Sequence, residues 1–195
     1  YIIIYIIPKV TGAFVSSYTV EYGELKVADE TQGYLVRDEQ VYVSAASGKA
    51  NRYIKGGTLV RAGTTVMEVT GSSESEVSAK YTDMLTRLGG DAVSTSDFSV
   101  AKGGVISYYA DGYEGKIRPD NMENGTYEYF SKLSQDNVLD LARNSIAKGE
   151  PVFKVADRTK WYIVCFIDKK NLGRYTKDQE VTVEFEDDFV RAKVY

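Results

Sequence analysis

The chain has 195 residues, 24 basic and 28 acidic, for a net charge of −4, and it contains no histidine. That length supports a core in one or two modules, and the interspersed charges offer no cationic stripe for a phosphate backbone, so nucleic acid is excluded as a partner. Without histidine no Ser-His-Asp or Cys-His constellation and none of the usual imidazole-built zinc hydrolase sites can form, and among the acids no carboxylate pair stands out for acid/base work.

Tyr1 to Val10, YIIIYIIPKV, is an apolar run of seven residues closed by Pro8 and Lys9. A helical span takes roughly 20 residues, so the run is too short to cross a bilayer. It reads either as the outer end of a transmembrane helix that begins upstream, with Tyr1 and Tyr5 in an interfacial belt, or as a buried first strand. No small-residue cleavage site follows, which speaks against a signal peptide. Ala13 to Val27, AFVSSYTVEYGELKV, alternates β-branched and aromatic residues around Gly23, giving a local hairpin or a strand paired with a distant segment.

From Gly33 to Val69, β-rich segments are broken at Gly48, Gly56/Gly57 and Gly63. Glycines at such corners supply positive φ, and the β-branched runs between them alternate faces, the pattern of a small, tightly turned barrel. Ser72 to Leu88 predicts a helix with Ser72 or Ser73 as N-cap and Gly89-Gly90 as its stop. Its stripe of Val77, Tyr81, Met84, Leu85 and Leu88 either packs on the barrel or docks a partner. Val100 to Gly115 repeats the glycine-cornered pattern faintly, with Gly104 and Gly112 as corners. Asp111-Gly112 is a turn signal first and only a faint hint of cation binding. Tyr108, Tyr109 and Tyr113 cluster there as strand-surface filling or as an interaction patch.

Between Gly125 and Gly149, Tyr127, Phe130 and Leu133 form one turn-spaced set and Val138, Leu141, Ala142 and Ile146 another, predicting two short helices. In the final segment, Trp161 and Tyr162 open a strand and are expected at a core edge. The lone Cys165, inside WYIVCFI, is expected to be a buried small hydrophobe that makes no intramolecular disulfide.

The stretch Gly33 to Val69 and its second half, VAKGGVISYYADGYEGKI, split by a helical interruption, resemble a biotinyl/lipoyl-like barrel sandwich. Lys148 to Tyr195 resembles the adaptor β-barrel that follows it in the membrane fusion proteins, the HlyD-like periplasmic adaptors of bacterial export systems. The phrases DGYE, GEPVFKV and WYI, in that order, carry the likeness, which covers about three quarters of the chain.

The resemblance implies a mainly β fold with short helices (α+β), a lipoyl-like barrel sandwich plus an adaptor β-barrel. It divides the chain into the end of an N-terminal membrane anchor (1–10), N-terminal strands (11–32), the split barrel sandwich (33–117) with a helical insertion (72–99), a helical linker (118–148) and the β-barrel (149–195). The insertion is much shorter than the long helical hairpin of family members that reach an outer-membrane channel. That shortness, and the stop at Tyr195, imply a shortened chain or a reduced member working in a single-membrane bacterium. A true carrier presents a modifiable lysine on the hairpin between its half motifs; here that position reads VMEVTGSS, and the nearest lysine, Lys80, lies in the predicted helix. No cofactor, metal or catalytic residue is therefore expected. The implied role is a non-enzymatic adaptor subunit of an export or efflux system, anchored on the outer face of the bacterial cytoplasmic membrane. Its partners would be membrane transporter subunits or envelope proteins, and further copies of itself. A cell-envelope or division scaffold with no transporter is the alternative.

Overall fold

The computed structural model describes residues 27–72, 76–133, 137–185 and 188–195. The chain divides into two units, Tyr1–Glu30 and Thr31–Tyr195, and the described fold is that of the second. The apolar run at Tyr1 to Val10 and all but the last residue of the segment Ala13 to Val27 lie outside the described residues. No helix among the described residues is long and apolar enough to cross a membrane.

Two long antiparallel strands, β1 (Gly33–Ser44) and β10 (Pro151–Cys165), form a spine whose register runs from Gly33↔Cys165 to Val43↔Pro151. Their ladder shifts between Arg37 and Glu39, where Asp38 stands against residues 157–160 of β10. Such a bulge bends the longer strand and re-aims its side chains. On one side of it β10 reads PVFKVA and every residue is buried; on the other, none from Trp161 to Cys165 is. A strand covered on both faces reads as a near-continuous apolar run, and PVFKVA is one except for Lys154.

The spine lies within a five-stranded sheet ordered β3 (Leu59–Val60), β6 (Gly104–Ser107), β10, β1, β5 (Val93–Thr95). A three-stranded sheet sets β2 (Gly48–Arg52) between β4 (Met67–Thr70) and β9 (Ser145–Ile146), and β7 (Tyr109–Ala110) pairs with β8 (Leu139–Asp140). Val41, Tyr42, Val66, Met67, Ile106, Leu141, Ile146 and Phe153 form one core, with the rings of Tyr42 and Phe153 stacked at 4.7 Å. Fully burying a side chain of this size contributes about 1.5–3 kcal/mol. The hairpin β11 (Glu180–Phe185) and β12 (Asp188–Lys193) follows the spine. The fold is thus mainly β with short helices.

Helix α1 (Ala79–Leu88) lays Tyr81, Met84 and Leu88 into the core and ends at Gly89, whose left-handed backbone (φ 73°) returns its N–H to the Leu85 carbonyl. It starts later than the sequence predicts. Ser72 is not helical, Ser73 lies outside the described residues, and Ser78 is the N-cap without a side-chain capping bond. The Ser78 N–H instead donates to the Glu150 carboxylate at 3.2 Å, a cap supplied from 72 positions away and invisible to local pattern.

The second helix expected between Gly125 and Gly149 does not form. Between residues 118 and 148 the helical elements are α2 (Tyr127–Ser131), capped by the Thr126 hydroxyl, and a 3-10 turn at Met122–Asn124, and nothing from Val138 to Lys148 is helical. Leu139–Asp140 and Ser145–Ile146 are strands, held by Ala110↔Leu139 and Gly48↔Ile146 pairings. Leu141 and Ile146 do enter the core, but from extended backbone, so their helical spacing is coincidental.

Candidate interaction surfaces

Two buried ionic clusters pin the sheets. Lys154, the one charge in PVFKVA, reaches Glu39 at 2.8 Å and Glu114 at 3.2 Å, and Glu39 also meets Arg37 at 2.6 Å. Burial pulls the Lys154 ammonium down, but the two carboxylates outweigh it and hold it above its ordinary range. Glu114 also accepts the N–H groups of Asp111 (3.1 Å) and Gly112 (2.9 Å), which ties the DGYE turn to the spine. Beside it, burial and then the charge of Glu114 push the Asp111 carboxyl up. Arg37, Glu39, Asp111 and Glu114 border a cavity of about 280 Å³ whose walls include Tyr34, Leu35 and Ile117. Glu39 and Glu114 are both committed to Lys154, so the cluster acts as a structural ion network rather than as an acid and a base poised apart.

The second cluster joins α1 to the segment after β8. Arg143 holds Glu150 at 2.7 Å and lies 3.9 Å from the centre of the Tyr81 ring. Glu150 also accepts the Ala147 N–H at 3.0 Å. Burial raises the Glu150 carboxyl, yet the Ala147 N–H and Arg143 prevail and leave it below its usual range. Arg52 closes the cluster, donating to the carbonyls of Leu141 and Arg143.

The residues singled out in the sequence fall in different places. Gly57, Gly63 and Gly112 adopt positive φ in turns; a side chain at Gly112 would also strike the Met84 carbonyl. Gly48 and Gly104 are not turn residues but begin strands β2 and β6, where neighbouring backbone leaves no room: a Cβ on Gly104 would lie 2.5 Å from the Ala156 carbonyl oxygen, and one on Gly48 would collide with that of Thr70. As an interaction surface, Tyr81, Met84, Leu88 and Tyr108 are ruled out, because all four are core residues, 0–7 % exposed. The Tyr108 hydroxyl donates inward to the Ile54 carbonyl at 2.6 Å. Tyr113 is half-buried beneath Arg87. Of the cluster, Tyr109 alone faces out, at 58 % exposure.

Other apolar groups expected inside lie outside. Trp161 is 41 % exposed, and Cys165 is exposed rather than buried, because what packs on this half of the ladder, Phe130 of α2 against Tyr34 and Phe166, does not cover them. On the hairpin, Phe185 and Phe189 are also exposed.

A cleft of about 670 Å³ opens where β10 bulges, lined by Leu59–Val60–Arg61–Ala62, Gly103–Gly104 and Asp157–Arg158–Thr159. Sequence reading missed it; the available signal was the polar insert DRTK between the apolar runs PVFKVA and WYIVCFI. Among the described residues no group of His, Cys, Asp or Glu is arranged to hold a metal ion.

Comparison with known families matches residues 39–157 to the RND related, barrel-sandwich hybrid domain and residues 161–195 to the RND related, beta-barrel domain. No curated protein and no solved structure gives a significant match. The two matched segments meet at the β10 bulge, residues 157–160.

Proposed function

The chain belongs to the RND-related barrel-sandwich hybrid family, and from that premise we propose that it is a non-enzymatic adaptor subunit of an export or efflux system, tethered by its N-terminus to the outer face of the bacterial cytoplasmic membrane. The matched domains are those of membrane fusion-type adaptors. The observation that carries the proposal is their succession on one continuous pair of strands, with the barrel-sandwich part on one side of the bulge and the β-barrel part on the other. That arrangement suits a scaffold that holds two binding surfaces in fixed order. The barrel sandwich offers no lysine at its hairpin for a covalent arm, so the fold serves as architecture and not as a carrier.

The test is affinity purification of the full-length tagged protein from its native membranes, with crosslinking and mass spectrometry. Recovery of a transporter permease or ATPase is the expected result. Wall-synthesis or division proteins in their place would establish the envelope-scaffold role and remove export. The tether has its own test: the full-length protein is expected to stay with membranes through a high-salt wash, and release by salt alone would refute an apolar anchor.

A further inference from the structure

The ion network at the cavity of about 280 Å³ leaves one negative charge unbalanced. Three carboxylates, Glu39, Asp111 and Glu114, stand against two cations, Arg37 and Lys154. Glu39 gives one oxygen to Arg37 and the other to Lys154, and Glu114 is taken up by Lys154 and the N–H groups of Asp111 and Gly112. Asp111, which lines the cavity, is different. Its Oδ1 accepts the Tyr113 N–H at 2.8 Å, while among the described residues its Oδ2 has no donor and its carboxylate no ion-pair partner. Arg87 approaches the same turn, but it donates to the Asp111 backbone carbonyl at 3.0 Å and is not part of the cavity wall. The raised Asp111 carboxyl reports the same imbalance, since burial and then the charge of Glu114 work against its ionised form.

The rest of the wall is largely apolar and aromatic, formed by Tyr34, Leu35, Tyr113, Ile117 and Leu133. Tyr34 is held by the Phe130 ring, 5.0 Å away between centres, and Tyr113 by the Arg87 guanidinium, 5.9 Å from its ring centre. Both rings are therefore supported from within the chain. An apolar cavity with a single uncommitted carboxylate suits a cation that carries its own apolar body, which aromatic walls also favour. A hard metal ion takes several oxygen ligands, and among the described residues no group is arranged to supply them. An anion would meet the excess negative charge. The volume lies just below the roughly 300 Å³ at which pockets for drug-sized molecules begin, so the ligand is small.

We propose that this cavity binds a small organic cation, a primary amine on an apolar or aromatic body, whose ammonium group pairs with Asp111 while the body lies against Tyr34, Leu35 and Ile117. The ammonium supplies the positive charge that Arg37 and Lys154 leave lacking. The turn that presents Asp111 is fixed on both sides, to the spine through Glu114 and Lys154 and to α1 through Arg87, so the carboxylate is in place before the ligand enters. Such a site operates whether or not the chain serves a transporter.

Calorimetric titration of the full-length protein with phenethylammonium chloride tests it, with the near-isosteric neutral 2-phenylethanol as control. The ammonium is expected to bind saturably with a dissociation constant below about 1 mM, and the alcohol at least about tenfold more weakly. Asp111→Asn removes the charge but keeps the Oδ1 that accepts the Tyr113 N–H, and it is expected to weaken ammonium binding about tenfold or more. Leu35→Arg, at a wall residue 53 % exposed, sets a cation against the site and is expected to abolish ammonium binding; it decides the matter if Asp111→Asn does not fold. Matching far-ultraviolet circular dichroism and melting temperatures identify the folded variants. No saturable binding of the ammonium, an alcohol that binds as tightly, or folded variants that bind as the wild type does would each overturn the proposal. Crosslinking partners recovered from native membranes are independent of all these outcomes, so the ligand site and the adaptor role can each fail alone.

Discussion

Between Glu39 and Val43, β1 lies against β10 residues that are all buried, Pro151 through Ala156, whereas between Gly33 and Arg37 the same strand lies against Trp161 to Cys165, none of them buried. The antiparallel ladder is common to both halves. What differs is the layer above it. In the inner half, β2, β4, β9 and α1 contribute Ala50, Met67, Ile146 and Met84 to the core that Val41, Tyr42 and Phe153 enter from the spine. A backbone hydrogen bond contributes about 0.5–1.5 kcal/mol net, and each fully buried apolar side chain about 1.5–3 kcal/mol. The contrast teaches that pairing sets register while layering sets stability, so the inner half is the anchor of the described fold.

The most severe way to break that contrast is to attack the charge inside the inner half. Lys154→Ala leaves Glu39 and Glu114 buried without their cation, and a loss of about 3–5 kcal/mol in denaturant unfolding is expected; a loss below about 1 kcal/mol would mean the cluster carries no weight. Next comes the apolar layer: Met84→Ala is expected to cost about 2–5 kcal/mol, against less than about 1 kcal/mol for Val164→Ala in the outer half. Equal losses at the two positions would erase the distinction.

A subtler probe is acid. The Glu150 carboxyl is held below its ordinary range, so its contribution is fully present above the unfolded carboxylate pKa and is lost as pH falls through the lowered folded value. Glu150→Gln is expected to flatten the acid limb of the stability curve, and a limb as steep as in the wild type would detach the Arg143–Glu150 pair from acid unfolding. The smallest effect is expected at Trp161, the only tryptophan in the chain. Its replacement by alanine should shift the melting temperature little, and in the wild type acrylamide should quench its fluorescence readily. Protection of Trp161 from quencher would show that something covers this end of the outer half.

The glycine-cornered β pattern and the order of DGYE, GEPVFKV and WYI were enough to read the two domain families and the mainly β fold. Three misreadings share a cause. Val138, Leu141, Ala142 and Ile146 match a helical stripe, yet partners some 30 to 100 residues earlier, at Ala110 and Gly48, draw that segment into strands. Trp161 and Cys165 sit in an apolar run like PVFKVA, but whether such a run is covered is decided by elements elsewhere in the chain. The tyrosines of the DGYE turn look alike in sequence, and only the path of the backbone turns Tyr108 into the core and Tyr109 out of it. The cleft was hidden for the same reason, since Arg61 and Arg158 are nearly one hundred positions apart and become opposite walls only when β6 bridges β3 and β10.

Because Gly33 faces Cys165 across the ladder, the chain enters and leaves the inner half at neighbouring points. Everything from Glu39 to Asp157 hangs from a two-stranded stem as a single excursion. Such a closed excursion behaves as a cassette: the segment between β4 and β5 can be lengthened, shortened or exchanged without altering the pairing of the stem that presents it. For an engineer this makes the stem a natural splice point. A foreign barrel sandwich grafted between Arg37 and Trp161 would inherit the register of the host strands and leave the exposed face of the outer half where it was.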